Sequence, residues 1–163
     1  MQRQVGEIFK IDNRWIKVES AMEGNISFCK GCVLKRIAIQ CNQYTDITGL
    51  CYGQEELKFI DISETLLHLS VKNEWYDMIV NGEKDEEYRE FKPYWFRILG
   101  KYYSHVLIRR GYTKEFVIYP IIKTSVGKGK LEWGATDKHC IIIKLNKNNV
   151  WKEKLARNSS TKK

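Results

Sequence analysis

Proline is scarce in this sequence, two in 163 residues, and no low-complexity segment precedes the last few positions. These scarcities exclude a collagen-like chain and one disordered along its length. Long apolar runs are missing too. The longest candidate, Phe116 to Ile122, is far short of the ~18 residues that span a bilayer. Met1 to Trp15 lacks the apolar core of a secretion signal, so a cytoplasmic protein without membrane attachment is expected. The histidines His68, His105 and His139 show no His-x-His or His-Glu-x-x-His spacing, and each reads as structural. Gly127-Lys128-Gly129-Lys130 lacks the Gly-x-x-x-x-Gly-Lys-Ser/Thr layout of a phosphate loop, and no helix signal follows it, so it reads as a tight turn. No strand-helix-strand repeat is present, which excludes a doubly wound sheet.

What is present suits an ordered globular protein: 43% hydrophobic and 29% charged residues, with a net charge of +8. The excess suggests an anionic partner, but it is unevenly spread. Lys and Arg stand 8 against 9 acidic residues in 1–65, 14 against 10 in 66–145, and 6 against 1 in 147–163. The last segment, 147–163, reads as a basic tail that either touches phosphates without specificity or only aids solubility.

Residues 1–65 suggest a small β-rich unit. Gly6 to Glu19 alternates apolar and polar residues around Asp12-Asn13, a hairpin signature, and Leu57 to Ile62 reads as a further strand. From Leu66 the pattern becomes regular. Leu66 to Val71 is a strand, and Asn73 to Val80 places apolar residues at helical spacing, with Asn73 as N-cap and Asn81-Gly82 as the stop. Asp85 to Phe91 alternates as a strand, Pro93 opens a short helix through Leu99, and Tyr103 to Ile108, Phe116 to Thr124 and Cys140 to Leu145 supply more strands. The expectation for 66–146 is an α+β fold: a closed or half-closed mixed barrel with two short helices.

Four cysteines fall in the first unit. Cys29, Cys32, Cys41 and Cys51 form a Cys-x2-Cys pair followed by wider gaps, a set that suits tetrahedral zinc and would help so thin a unit to fold. Free or redox-paired thiols are the alternative, and stable disulfides rank last without a secretion signal. Cys140 reads as a buried thiol at the start of an apolar strand.

Four stretches carry a resemblance: Leu69 to Trp75, the Gly-x-Lys-x-x-Glu-x-Arg string from Gly82 to Arg89, Arg109 to Tyr112, and Gly127 to Gly134. Together they resemble the ASCH domains, members of the PUA-like barrel superfamily often encoded by bacteria and their phages. The resemblance implies a PUA-like barrel and an association with RNA metabolism. In one branch of that family the lysine of the string, a threonine three residues on and a distant glutamate hydrolyse an acylated cytidine nucleoside. By position the lysine falls on Lys84, the threonine position holds Glu87, and Glu132 is the candidate for the distant carboxylate. A carboxylate cannot replace a hydroxyl nucleophile, although Glu87 could act as a general base on water.

The string also has a reading of its own. Strand alternation sends Glu87 and Arg89 to one face and Glu86, Tyr88 and Glu90 to the other, so Lys84, Glu87 and Arg89 can gather at one mouth. There they form either a guanidinium fork for a phosphate or base edge, or an exposed ion-pair network. Tyr94, Trp95, Tyr112 and Trp133 stand next to Arg97, Arg109, Arg110 and Lys130, the composition of a stacking cleft, with core packing the alternative for Trp95 and Trp133, whereas Trp75 and Tyr76 fit the inward face of the first helix. The leading expectation is a module that binds single-stranded RNA or a modified nucleotide through Lys84, Glu87, Arg89, Tyr94, Arg97, Arg109, Tyr112 and Trp133. A nucleoside amidohydrolase or ribonuclease using Lys84, Glu87 and Glu132 is the enzymatic alternative. An interaction module built on the cysteine-rich unit is the third.

Overall fold

The computed structural model describes residues 3–20, 32, 57–148 and 150–152. The chain divides into two compact units, Met1–Leu66 and Leu67–Lys163. None of the described helices is long and apolar enough to cross a membrane.

In the first unit β1 (Ile8–Ile11), β2 (Arg14–Ser20) and β3 (Leu57–Asp61) form an antiparallel sheet in the order β1-β2-β3. The hairpin turns at Asp12-Asn13, and Asp12 takes a φ of 51°, a left-handed conformation that aspartate tolerates better than most residues. Ile11 pairs with Arg14 across this two-residue turn. Alternation along the strands buries Phe9, Ile11, Ile16, Val18, Leu57 and Phe59 with Cys32. At the end of β3 the Asp61 carboxylate accepts from Arg14 at 2.7 Å and from the Ser63 hydroxyl at 2.6 Å. Burial pushes that carboxyl up, but Ser63 and Arg14 outweigh it and hold it below its ordinary value.

The second unit is α+β. Its sheet follows the order β4-β6-β7-β8-β5, where β4 is Leu66–Val71, β5 Glu86–Glu90, β6 His105–Arg110, β7 Phe116–Lys128 and β8 His139–Leu145. A short β9 (Trp151–Lys152) pairs with β7. Strand β7 does double duty. Its first half pairs with β6, Val106 opposite Tyr119, and its second half pairs with β8 as far as Lys128 opposite His139. A register shift between Ile121 and Lys123 separates the halves, and such a bulge bends the strand and raises its twist. The sheet therefore curls into a half-barrel. The β8 partner carries this strand four residues beyond the Thr124 expected from sequence, so Gly127 and Lys128, read there as part of a tight turn, are strand, and residues 129–138 make the connection to β8.

Two helices complete the unit, α1 (Asn73–Val80) and α2 (Pro93–Leu99). Lys72, not Asn73, occupies the N-cap of α1, without a side-chain capping bond. The end of α1 is built as expected: Gly82 turns at φ +80°, and its amide donates to Ile79 O at 3.1 Å. Tyr76 and Ile79 bury themselves against Leu67, Leu69, Val106, Ile108, Val117, Tyr119, Ile143 and Leu145. The Tyr119 hydroxyl donates to Ile79 O at 3.1 Å and so pins α1 to the sheet. Tyr119→Phe leaves that hydroxyl's site empty of a donor and is expected to cost about 1 kcal/mol in urea unfolding, the net worth of one buried hydrogen bond; no loss would show that the bond contributes nothing.

Candidate binding cavity of the second unit

The turn after α1 determines where the functional side chains begin. The amides of Glu83 and Lys84 both donate to Met78 O, at 2.9 and 3.0 Å, folding the segment back beneath the helix end. Lys84 thereby enters the interior, where only 2% of it is exposed. Strand β5 follows, paired antiparallel with β8 so that Glu87 lies opposite Ile143 and Arg89 opposite Ile141. Period-two alternation then directs Glu87 and Arg89 to the side Lys84 has entered.

The three make a row of charges. Lys84 Nζ lies 2.9 Å from Glu87 Oε2, and an Arg89 guanidinium nitrogen lies 3.0 Å from Glu87 Oε1, so each carboxylate oxygen meets its own cation. Arg89 also donates to Ser70 O on β4 at 3.1 Å. Glu87 is 3% exposed, and a carboxylate taken so far from water costs several kcal/mol unless paired. Two cations offset that cost, and the row as a whole carries one net positive charge.

Aromatic rings wall the space above this row. A cavity of about 570 Å³ is lined by Trp75, Tyr88, Trp95 and Trp133, with Lys84, Glu87 and Arg89. Lys84 Nζ stands 5.1 Å from the Trp75 ring centre and 5.2 Å from that of Tyr88, while the Arg89 guanidinium stands 5.1 Å from Trp95. At such distances the negative faces of the rings attract the cations and help hold both in position. Two glycines allow the rings to close in. A Cβ on Gly134 would lie 2.7 Å from Trp75 ring carbons, and one on Gly129 would lie 2.7 Å from the Tyr88 ring.

Burial pushes the Tyr88 phenol above its usual range, and its hydroxyl donates to Glu86 at 2.8 Å while accepting from the Lys130 amide at 3.2 Å. Burial likewise pushes the Cys140 thiol up, and its Sγ donates to Gly127 O at 3.5 Å, which leaves it protonated and a poor nucleophile. Four cations, Lys72, Lys84, Arg89 and Lys92, face two carboxylates, Glu87 and Glu90. Lys92 forms an ion pair with Glu90, both groups well exposed.

Of the residues singled out from the sequence, Lys84, Glu87, Arg89, Trp95 and Trp133 line this cavity, and Tyr94, Arg97, Arg109, Arg110, Tyr112, Lys130 and Glu132 do not. Tyr112 is fully exposed in the turn between β6 and β7, and Arg109 and Glu132 are exposed as well. Tyr94 and Arg97 sit outward on α2. Trp75, read from its helical spacing as core, does pack against the core and is a wall of the cavity as well, and Tyr88, assigned to the opposite face of β5, lines it too. Neither position was visible in spacing alone: the close pass of Gly134 over Trp75 depends on a segment almost sixty residues away. Of the proposed zinc ligands, Cys29, Cys41 and Cys51 lie outside the described residues, while Cys32 is buried in the apolar cluster of the first unit.

Comparison with family models, with curated proteins and with solved structures gives no match to this chain.

Proposed function

We propose that the Leu67–Lys163 unit binds a nucleotide, free or within RNA, in this cavity. The observation that carries the reading is the Lys84–Glu87–Arg89 row, its first two members buried, set among four aromatic rings. A planar base is held by stacking on ring faces, and cations at the rim take its phosphate. Trp75, Tyr88, Trp95 and Trp133 supply the faces; Lys72 and Lys92 supply the rim. The volume suits a ligand of nucleotide size, since small-molecule sites run from ~300 to ~1,000 Å³. The resemblance of 66–146 to the ASCH domains and their PUA-like barrels leads to the same class of ligand.

The test is a titration of the whole chain with mononucleotides and short RNA, followed by tryptophan fluorescence over a series of salt concentrations. Trp95→Ala is expected to weaken binding by roughly 5- to 100-fold, the worth of one base stacked on one ring. Arg109→Ala and Tyr112→Ala, both away from the cavity, are expected to bind as the natural chain does. Equal affinity in all three variants would move the binding off the cavity and refute the reading.

A second reading is favoured by one contact, Lys84 Nζ at 2.9 Å from Glu87 beside a cavity of nucleoside size. There Glu87 would take a proton from water and Lys84 would stabilise the oxyanion formed on an acylated cytidine. Both oxygens of Glu87 are already occupied by cations, so binding ranks first. Release of acetate from acetylated cytidine, abolished by Glu87→Gln in protein shown to be folded, would put hydrolysis ahead.

A further inference from the structure

Helix α2 turns rings to both sides. Trp95, Ile98 and Leu99 pack against the core, and Trp95 also lines the cavity. Tyr94 and Phe96 face outward together with the preceding Phe91, at 55%, 43% and 50% exposure. These rings are ordered by one another. Phe91 and Phe96 meet edge to face with centres 4.3 Å apart, and Tyr94 meets Trp95 edge to face at 5.0 Å. The Trp95–Tyr94 contact thus leads from the cavity wall to the surface, and the Phe91–Phe96 pair is a second, separate contact there. The charge on this stretch is of one sign: residues 91–103 hold Lys92, Arg97 and Lys101 and no carboxylate.

We infer that the nucleotide in the cavity is part of a single strand, and that the strand leaves the cavity over α2, where Tyr94 on one flank and the Phe91–Phe96 pair on the other stack neighbouring bases. The inference rests on the nucleotide reading above and adds the polymer to it. A chain of bases and phosphates needs ring faces alternating with cations along a track, and every base presents a face regardless of its identity. The run from Phe91 to Tyr103 supplies both, Arg97 and Lys101 beside the Lys92 that pairs with the neighbouring Glu90. Exposed rings of this kind are costly to keep on a surface with no partner. Rings beside cations would also suit an anionic lipid surface, but Tyr94 touches the cavity wall at Trp95, and a strand is the occupant that uses both.

The whole chain is titrated with UMP, with a uridine hexamer, with a thymidine hexamer, and with vesicles of phosphatidylserine and phosphatidylcholine. At least one hexamer is expected to bind about tenfold or more tightly than the mononucleotide, as one or two added base stacks provide. Tyr94→Ala/Phe96→Ala, checked for an unchanged melting temperature, should remove most of that advantage while UMP binding, which uses the cavity, stays within about twofold. Hexamers that bind no better than UMP, or an advantage that survives the double substitution, overturn the strand path and leave the cavity reading standing. Vesicle binding that the double variant loses, without any hexamer advantage, assigns these rings to lipid and also overturns it. Failure of UMP and both hexamers to bind removes the nucleotide reading and this inference together.

Discussion

Glu87→Leu is expected to lower the unfolding free energy of the Leu67–Lys163 unit by about 3–5 kcal/mol, the range for removing one partner of a buried charge pair. Glu87 is the shared anion of the row, and its loss leaves Lys84 facing Arg89 in a setting where Lys84 is only 2% exposed. Arg89 keeps its bond to Ser70 O and some solvent, so Lys84 carries most of the penalty. Lys84→Met should cost less, because Glu87 retains Arg89. The double variant Lys84→Met/Glu87→Leu should be more stable than Glu87→Leu alone, since the stranded cation has gone and apolar volume replaces it. Urea unfolding read by tryptophan fluorescence suits the measurement, because four of the five tryptophans, Trp75, Trp95, Trp133 and Trp151, belong to this unit. For a unit of this size the Glu87→Leu loss corresponds to a melting temperature lower by roughly 12–40 °C. A loss under about 1 kcal/mol would mean that the row behaves as an exposed ion-pair network.

That row is also where the sequence was most informative. Strand alternation needs only two residues to specify a face, so Glu87 and Arg89 were legible as neighbours once a strand was recognised at Glu86–Glu90. Lys84 required the helix end at Gly82, which a glycine after an asparagine signals well. The N-terminal hairpin and the strand-helix order after Leu66 were legible for the same reason: each depends on periodicity within a few residues.

What depends on distant packing was not legible. Tyr88 alternates away from Glu87 along β5, yet its ring lines the cavity because residues 129–135 return to the same place; the Lys130 amide donates to its hydroxyl. Trp75 has the spacing of a core residue, and only the passage of Gly134 over its ring makes it a wall. Arg109 and Tyr112 share a basic, aromatic composition with the cavity lining, but the β6–β7 turn that holds Tyr112 points into solvent, and composition does not encode direction. Tyr94 and Arg97 miss the cavity because α2 turns them from it: Tyr94 is rotated about 100° and Arg97 about 200° from Trp95 around the helix.

The wall formed by Trp75 leads to the other large effect. Gly134→Ala is expected to destabilise the unit by about 2–4 kcal/mol, combining the cost of a side chain in the left-handed region with that of overpacking. Gly134 has a φ of +84°, and its added Cβ would lie 2.7 Å from Cε2 and Cζ2 of Trp75 and 3.1 Å from Nε1. An indole is rigid, so the collision is relieved only by moving the ring or the segment that carries Gly134. Gly82→Ala separates the two contributions. Gly82 has nearly the same φ, +80°, but nothing lies within 4 Å of its added Cβ, so only the backbone cost of roughly 1–2 kcal/mol applies. If Gly134→Ala proves no more damaging than Gly82→Ala in urea unfolding, the ring yields freely and Trp75 is not a fixed wall. If the larger cost is found, nucleotide affinity should fall in Gly134→Ala alone, because a Trp75 ring displaced from Gly134 no longer offers the face on which the base stacks.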